Sequence, residues 1–312
     1  MRVPIQLASA FLMSPASICF IHAIMYGQRR PTDYSYDPRL YFTQLQPAEL
    51  PSYKVRRGVE LGLADLTDAI HWQTYLPDDP DIGEIVRFEA ITIADHAKKV
   101  TFKGVLPVNL YGFASRIRVD AGLVETLRKL LAIQVPKPAD LNRILRLQFN
   151  LAVIMAHEMC HAINNATHQK PEPFYKGQSM SDLGWAWENE VFGGYIETCN
   201  GQHDGTAPLV VCKFPSQYGI PNPHAGLYMR RSLKGSATYY YVSMDYIANV
   251  QSQDKWNKVK SGGFENDLNL LKIPKQVGHR EYNRGPVDDT WNKSDSSEGN
   301  YEADSDNRVL RF

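Results

Sequence analysis

The chain has 312 residues, of which 43% are hydrophobic and 22% are charged. This length suffices for one large domain with a sizeable buried core. Its 34 basic and 34 acidic side chains cancel, which argues against a chain-wide field that would draw the protein to nucleic acid or to an anionic membrane.

The cysteine content bears on the compartment. The sequence contains no Cys-x-x-Cys pair, and its four cysteines are too sparse for a disulfide framework: Cys19, Cys160, Cys199 and Cys212. We therefore expect a reducing compartment such as the cytoplasm, while a single bridge between Cys199 and Cys212 stays open. Secretion also stays open, because the first thirty residues have the apolar bias of a signal peptide. No other stretch approaches the roughly 20 apolar residues of a membrane span.

Residues 1–57 are predicted to form an irregular N-terminal lead-in, because prolines interrupt the apolar start and little periodicity follows. Residues 58–76 space their apolar side chains loosely like a helix, which the segment PDDPDIG then ends. From 85 to 119 the period changes towards two, which predicts a small antiparallel or mixed sheet. A helix is expected over 120–135, with Asp120 as its N-cap.

The longest predicted helix covers residues 141–167, and its middle, FNLAVIMA, is apolar on every side. Such a helix is expected to run through the core. A second helix is predicted over 181–197, opened by Ser181 or Asp182. Further on, PLVVCKF and ATYYYVSMDYI are typical of strands, and the acidic, Ser-rich residues 286–312 predict a disordered tail. We therefore expect one α+β domain over residues 58–285, with a small sheet packed on the long helix.

The long helix carries the segment AHEMCHAIN at residues 156–164. His157 and His161 lie one turn apart on the same helix face, so their imidazoles can converge on one ion, and neutral imidazole is an ordinary zinc ligand. Glu158 lies at the edge of that face, where it can take a proton from a water in the open position of the metal. This spacing predicts a catalytic zinc site, although two core histidines beside a surface glutamate remain the alternative.

The segment HEMCH matches the signature His-Glu-x-x-His and thus resembles the zincin metalloproteases. In their gluzincin branch the third zinc ligand is a glutamate on a following helix, and LGWAWENEVFGG supplies Glu188 and Glu190. Glu188 is favoured because it shares a helix face with Gly184, which allows a close helix approach. Over roughly residues 85–200 the chain is also similar to uncharacterised zincin-like proteins of filamentous fungi.

This resemblance implies a zincin-like α+β fold and a Zn²⁺ cofactor bound by His157, His161 and Glu188. It also implies hydrolysis of a peptide or protein substrate with Glu158 as general base. A residue that stabilises the oxyanion would be needed as well, and the spacing does not select among the candidates, which are Tyr239, Tyr240, Tyr241, His203 and His224.

Two other branches offer a different third ligand. The metzincins extend the motif with a third histidine, but Thr167 stands at that position and His168 comes one residue late. The segment HEMCHA also resembles SprT-like proteases, which act on proteins associated with nucleic acid and would use His168 or His203. The chain lacks their paired cysteines and basic DNA-binding segment.

A non-enzymatic site is the competing interpretation. A zinc whose fourth position is filled by Cys160, His168 or His203 could not bind water and would be structural.

Overall fold

The computed structural model describes residues 1–31, 40–42, 52–76, 89–103, 109–168, 172–175, 182–199, 204–212, 236–261, 267–282 and 309–311. The described part is mixed α+β. Its helices are α1 (Arg2–Leu12), α2 (Pro15–Tyr26), α3 (Tyr53–Asp65), α4 (Ala121–Leu131), α5 (Pro138–Thr167), α6 (Leu183–Phe192), α7 (Met244–Gln251) and α8 (Gln253–Ser261). Its strands are β1 (Arg29–Pro31), β2 (Leu40–Phe42), β3 (Ile70–Tyr75), β4 (Ala90–Lys103), β5 (Asn109–Asp120), β6 (Phe174–Tyr175), β7 (Tyr195–Thr198), β8 (Leu209–Cys212), β9 (Ser236–Tyr241), β10 (Val277–Tyr282) and β11 (Val309–Arg311).

The central element is α5, which confirms the predicted long helix and begins three residues earlier than expected. Pro138 stands in its first turn, where no backbone N–H is needed, and Asp140 accepts a hydrogen bond from the Lys137 N–H at 3.0 Å. Every residue from Leu147 to Ala156 is buried. The helix therefore passes through the core, as its all-round apolar middle predicts.

The small sheet predicted between residues 85 and 119 is confirmed and has the strand order β3-β5-β4. β4 runs antiparallel to β5, and β3 runs parallel to it. A Cβ on Gly112 of β5 would lie only 2.1 Å from the Asn165 carbonyl oxygen of α5. The absence of a side chain there allows the strand to pass against the C-terminal end of the helix.

The helix predicted over residues 58–76 is wrong in its second half, because α3 ends at Asp65 and Ile70–Tyr75 forms β3. The segment IHWQTY is rich in aromatic and β-branched residues, which favour a strand when a partner is available. Pairing with β5 decides the outcome. The helix predicted over 181–197 ends at Phe192, since Gly193 adopts a left-handed φ of 85° and β7 follows.

The N-terminal segment differs from the irregular lead-in expected for residues 1–57. α1 and α2 are regular helices whose apolar residues, including Phe11, Phe20 and Ile21, are buried in the main core. Pro4 and Pro15 occur in the first turns of these helices, where proline is tolerated. The prolines that indicated an interruption thus mark helix starts.

No single helix in the described ranges is long and apolar enough to cross a membrane. Only together do α1 and α2 have the length and apolar composition of a membrane span, and the chain bends by 73° between them.

A second, five-stranded sheet has the order β11-β10-β9-β8-β7, with antiparallel neighbours throughout. β8 and β9 confirm the strands predicted near residues 208–214 and 237–247, but the second ends at Tyr241 because Ser243 caps α7. Val309–Arg311, within the predicted tail, pairs with β10. The tail residues 286–308 lie outside the described residues.

Candidate metal centre

The two histidines of the His-Glu-x-x-His motif lie side by side on α5. Their ring centroids are 5.0 Å apart, and the side chains of His157 and His161 are 14% and 17% exposed. The N-terminus of α6 faces them, so that Asp182 Oδ1 lies 3.7 Å from His157 Nε2 and 3.8 Å from His161 Nε2. Two ligand atoms at about 2.0 Å from a tetrahedral zinc lie about 3.3 Å apart. The ligand atoms of the three residues all lie within 4.8 Å of one another, so this group could hold one ion after its members move closer together.

Local structure positions Asp182 for this role. It is the N-cap of α6, and its Oδ1 accepts a hydrogen bond from the Trp185 N–H at 2.8 Å. A Cβ on Gly184 would lie 2.1 Å from His157 Cδ2, so any larger residue would displace the His157 imidazole or the helix itself. The glycine and the capping aspartate together bring the helix N-terminus onto the histidine pair.

The second nitrogen of each imidazole is held by a different carboxylate. His157 Nδ1 donates to Glu188 Oε1 at 2.6 Å, while Glu188 Oε2 accepts from the Ile196 N–H at 2.6 Å. His161 Nδ1 donates to Glu172 Oε1, while Glu172 Oε2 accepts from the N–H of Leu183 at 3.1 Å. A proton held on Nδ1 leaves the Nε2 lone pair available to a metal. Both Nε2 atoms face Asp182.

The predicted third ligand, Glu188, is thus placed elsewhere by the structure. Its carboxylate lies on the Nδ1 side of His157, whereas the position facing both Nε2 atoms belongs to Asp182. The two acidic residues lie at the N-cap and within α6, more than one turn apart, so the tilt of α6 determines which of them faces the two Nε2 atoms. Glu190, the other candidate, is not part of the group that could hold a metal among the described residues.

Candidates for the fourth position also lie elsewhere. His168 Nε2 is 3.0 Å from the Ile24 carbonyl oxygen, and the buried Cys160 thiol faces the Ala156 carbonyl. His203 and His224 fall outside the described residues. Tyr239, Tyr240 and Tyr241 lie in β9, within the second sheet.

Glu158 lies at the interface between α5 and the small sheet. It is 6% exposed, and its Oε2 accepts a hydrogen bond from Thr92 Oγ1 of β4 at 2.6 Å. The Thr92 hydroxyl also lies 3.0 Å from the Glu158 carbonyl oxygen. The Glu158 charge contributes to raising the pKa of His161, so the carboxylate acts electrostatically on that histidine.

The carboxylates dominate the electrostatics of the cluster. Burial by itself would lower the pKa of His157, but Asp182 and Glu188 raise it to about 9. Burial also lowers the pKa of His161, but Glu172 and Asp182 outweigh this effect and raise that pKa to about 10. Burial raises the pKa of Glu188, against the lowering by His157. The cluster therefore favours bound positive charge, which protons or a metal ion can supply.

Two residues of this cluster could not be recognised as site residues from the sequence. The pattern around Asp182 predicts only the start of a helix, and Glu172 lies in a predicted loop. The only local signal was the capping preference of aspartate, which carries no information about a metal.

Comparison with known proteins gives no match: no family model, no curated protein and no solved structure corresponds significantly to this chain.

Proposed function

We propose that this protein is a zinc-dependent metallopeptidase of the zincin type, in which His157, His161 and Asp182 hold the zinc. The observation that carries the proposal is the approach of both Nε2 atoms to the same Asp182 oxygen, at 3.7 and 3.8 Å. Two imidazoles and one carboxylate are a donor set that suits zinc. Three protein ligands leave the fourth position that catalytic zinc sites keep for water or substrate.

In this proposal Glu158 is the general base. A bound zinc would polarise the substrate carbonyl and lower the pKa of its water. Thr92 donates to Glu158 Oε2, which orients the carboxylate and leaves Oε1 to take a proton and return it to the leaving amine. Glu172 and Glu188 hold the imidazoles in the tautomer that presents Nε2.

An exposed sheet edge supports a peptide substrate. β4 is the last strand of the order β3-β5-β4, and among the described residues it pairs only with β5. Thr92 of this strand contacts Glu158 directly. An extended peptide that added to the edge through backbone hydrogen bonds would run beside the general base.

A structural zinc is the competing proposal, and the described residues favour the catalytic one. His168 and Cys160, which could close the site, are bonded elsewhere. The same donor set of two histidines and a carboxylate also occurs in Fe(II) sites, so metal analysis is part of the test.

The first prediction tests the function directly. Purified wild-type protein should contain near-stoichiometric zinc and should cleave members of a broad peptide library. Glu158→Gln should retain zinc but lower the rate by about 10²- to 10⁴-fold, since it removes the proton acceptor. His157→Ala should lose the metal.

Glu125→Gln is the matched control, because Glu125 pairs with Arg128 on the surface of α4, away from the histidines; it should behave as wild type. Zinc-free wild-type protein, or full activity in Glu158→Gln, would refute the proposal.

A further inference from the structure

We propose that Glu172 is a positioning residue of the metal centre, which couples the orientation of His161 to the position of Asp182. This inference rests on the proposed function, since it assigns a role within the same site.

The coupling follows from the two oxygens of one carboxylate. Glu172 Oε1 accepts from His161 Nδ1, and Oε2 accepts from the backbone N–H of Leu183 at 3.1 Å. Leu183 is the first residue of α6 and directly follows Asp182. The same side chain thus holds one metal-facing imidazole and the peptide unit next to the metal-facing carboxylate.

Glu188 provides an internal comparison. It also binds a histidine Nδ1 with one oxygen and a backbone N–H with the other, but that N–H belongs to Ile196 in β7. Glu188 therefore ties His157 to the second sheet, whereas Glu172 ties His161 to the backbone N–H that follows Asp182. Among the described residues, Glu172 thus contacts one member of the metal-facing group, His161, and the residue next to another member, Asp182.

Arg29 provides positive charge near Glu172. Burial lowers the pKa of Arg29 to about 10, and the Glu172 carboxylate opposes this lowering. Arg29 Nη2 donates to Asn164 Oδ1 at 2.6 Å, and Asn164 lies on α5 three residues after His161. Arg29 thus connects the surroundings of Glu172 with the helix that carries His161.

Substitution of such a carboxylate weakens metal binding without removing a ligand. Loss of an outer hydrogen-bond partner of a metal-binding histidine typically costs about 10- to 100-fold in metal affinity. Glu172→Gln keeps the size of the side chain and loses its charge and its second acceptor oxygen. Glu172→Asp keeps the charge but is one methylene shorter, so it cannot reach both partners equally well.

The experiment measures zinc dissociation constants by competition with a chelator, together with the visible absorption spectrum of the cobalt-substituted protein. Glu172→Gln should bind zinc about 10- to 100-fold more weakly and should alter the cobalt bands, because the ligand geometry changes. Glu172→Asp should be intermediate. Glu190→Gln, a matched change on α6 outside the metal-facing group, should match wild type. Melting of the metal-free proteins checks that each variant folds.

The outcomes separate this proposal from the proposed function. If wild type binds zinc, His157→Ala does not, and Glu172→Gln matches wild type in both readouts, the role of Glu172 is refuted and the zinc site stands. If wild type binds no zinc, both proposals fall. If Glu172→Gln does not fold, Glu172→Asp decides: weaker zinc binding supports the role, and wild-type affinity with unchanged cobalt bands overturns it.

Discussion

At His157 and His161, each imidazole has one nitrogen held by a glutamate and the other facing Asp182. Two protonated imidazoles would supply two positive charges to the three surrounding carboxylates, and one divalent cation supplies the same charge to neutral imidazoles. Metal binding can therefore replace the protons without changing the net charge of the cluster. A site rich in carboxylates is therefore compatible with two protonated imidazoles without metal and with two neutral imidazoles that bind a divalent cation.

The assignment of the third ligand can be tested with matched variants. Asp182→Asn keeps a good N-cap for α6 but removes the charged oxygen, so zinc binding should fall by at least about 100-fold while the helix stays intact. Glu188→Gln should cost about 10- to 100-fold, since it affects only the orientation of His157. Chelator competition measures both. Wild-type affinity in Asp182→Asn with complete loss in Glu188→Gln would restore Glu188 as the ligand.

Zinc binding is expected to release protons at neutral pH. With pKa values of about 9 and 10, His157 and His161 are protonated at pH 7 in the metal-free protein, and each proton must leave before Nε2 can bind zinc. Affinity should therefore rise with pH and level off above about pH 10. Calorimetry in buffers of different ionisation enthalpy should give close to two protons released per zinc at pH 7. Binding without proton release would contradict this charge state.

Two helices and two strands come together at the site through close contacts. α6 meets α5 at Gly184, β5 passes the end of α5 at Gly112, and β4 contacts Glu158 through Thr92. The first two contacts need glycine because a Cβ would overlap the neighbouring atoms. Small residues on α6 and β5 thus determine how near the surrounding elements come to the histidine-bearing helix.

Gly184→Ala is predicted to disturb the centre. The new Cβ would lie 2.1 Å from His157 Cδ2, so the imidazole or the helix must shift. We expect this to cost about 1 to 3 kcal/mol in unfolding free energy and to weaken zinc binding. Gly58→Ala on α3 is the control, because the nearest atom to its Cβ would be 4.0 Å away. That change should stabilise the protein by up to about 1 kcal/mol. Urea unfolding and zinc titration measure both effects, and equal stability of the two variants would contradict the contact.

The N-terminal helices are part of the molecule's main core. The ring of Phe11 in α1 meets Phe149 of α5 at 5.7 Å and Phe192 of α6 at 5.2 Å between centroids. Trp187 of α6 donates its indole N–H to Ser17 of α2 at 2.7 Å. α1 and α2 therefore pack on the two helices that carry the candidate metal ligands, and loss of the N-terminal segment would expose the core behind the site.

Phe11→Ala should lower the unfolding free energy by about 3 to 5 kcal/mol, because it leaves a cavity beside the rings of Phe149 and Phe192. Ile5→Ala on the same helix should change it by less than about 1 kcal/mol, since Ile5 is 48% exposed. Urea denaturation of the full-length variants measures the difference. Similar stability of the two variants would show that α1 is not packed in the core.

The long helix, the position of its histidine pair and the small sheet could be predicted from the sequence, because each depends on a local period. His157 and His161 share a helix face because they are four residues apart. The segment FNLAVIMA is apolar on every side, which predicts burial whichever elements pack against it. Isolated signals were less reliable. Pro4 and Pro15 indicated breaks in the chain, but both lie in the first turns of helices. Proline is compatible with a helix start as well as with an interruption, so the residue alone does not distinguish them.

The sequence by itself thus determined that the imidazoles of His157 and His161 share one helix face and that Glu158 lies between them in the chain. Only the tertiary structure decided that Asp182 faces both Nε2 atoms and that Glu172 and Glu188 hold the opposite nitrogens. The physical reason is that these choices depend on how α6 lies across α5, which is determined by packing between distant segments. A helical period places side chains around one axis and contains no information about the angle between two axes.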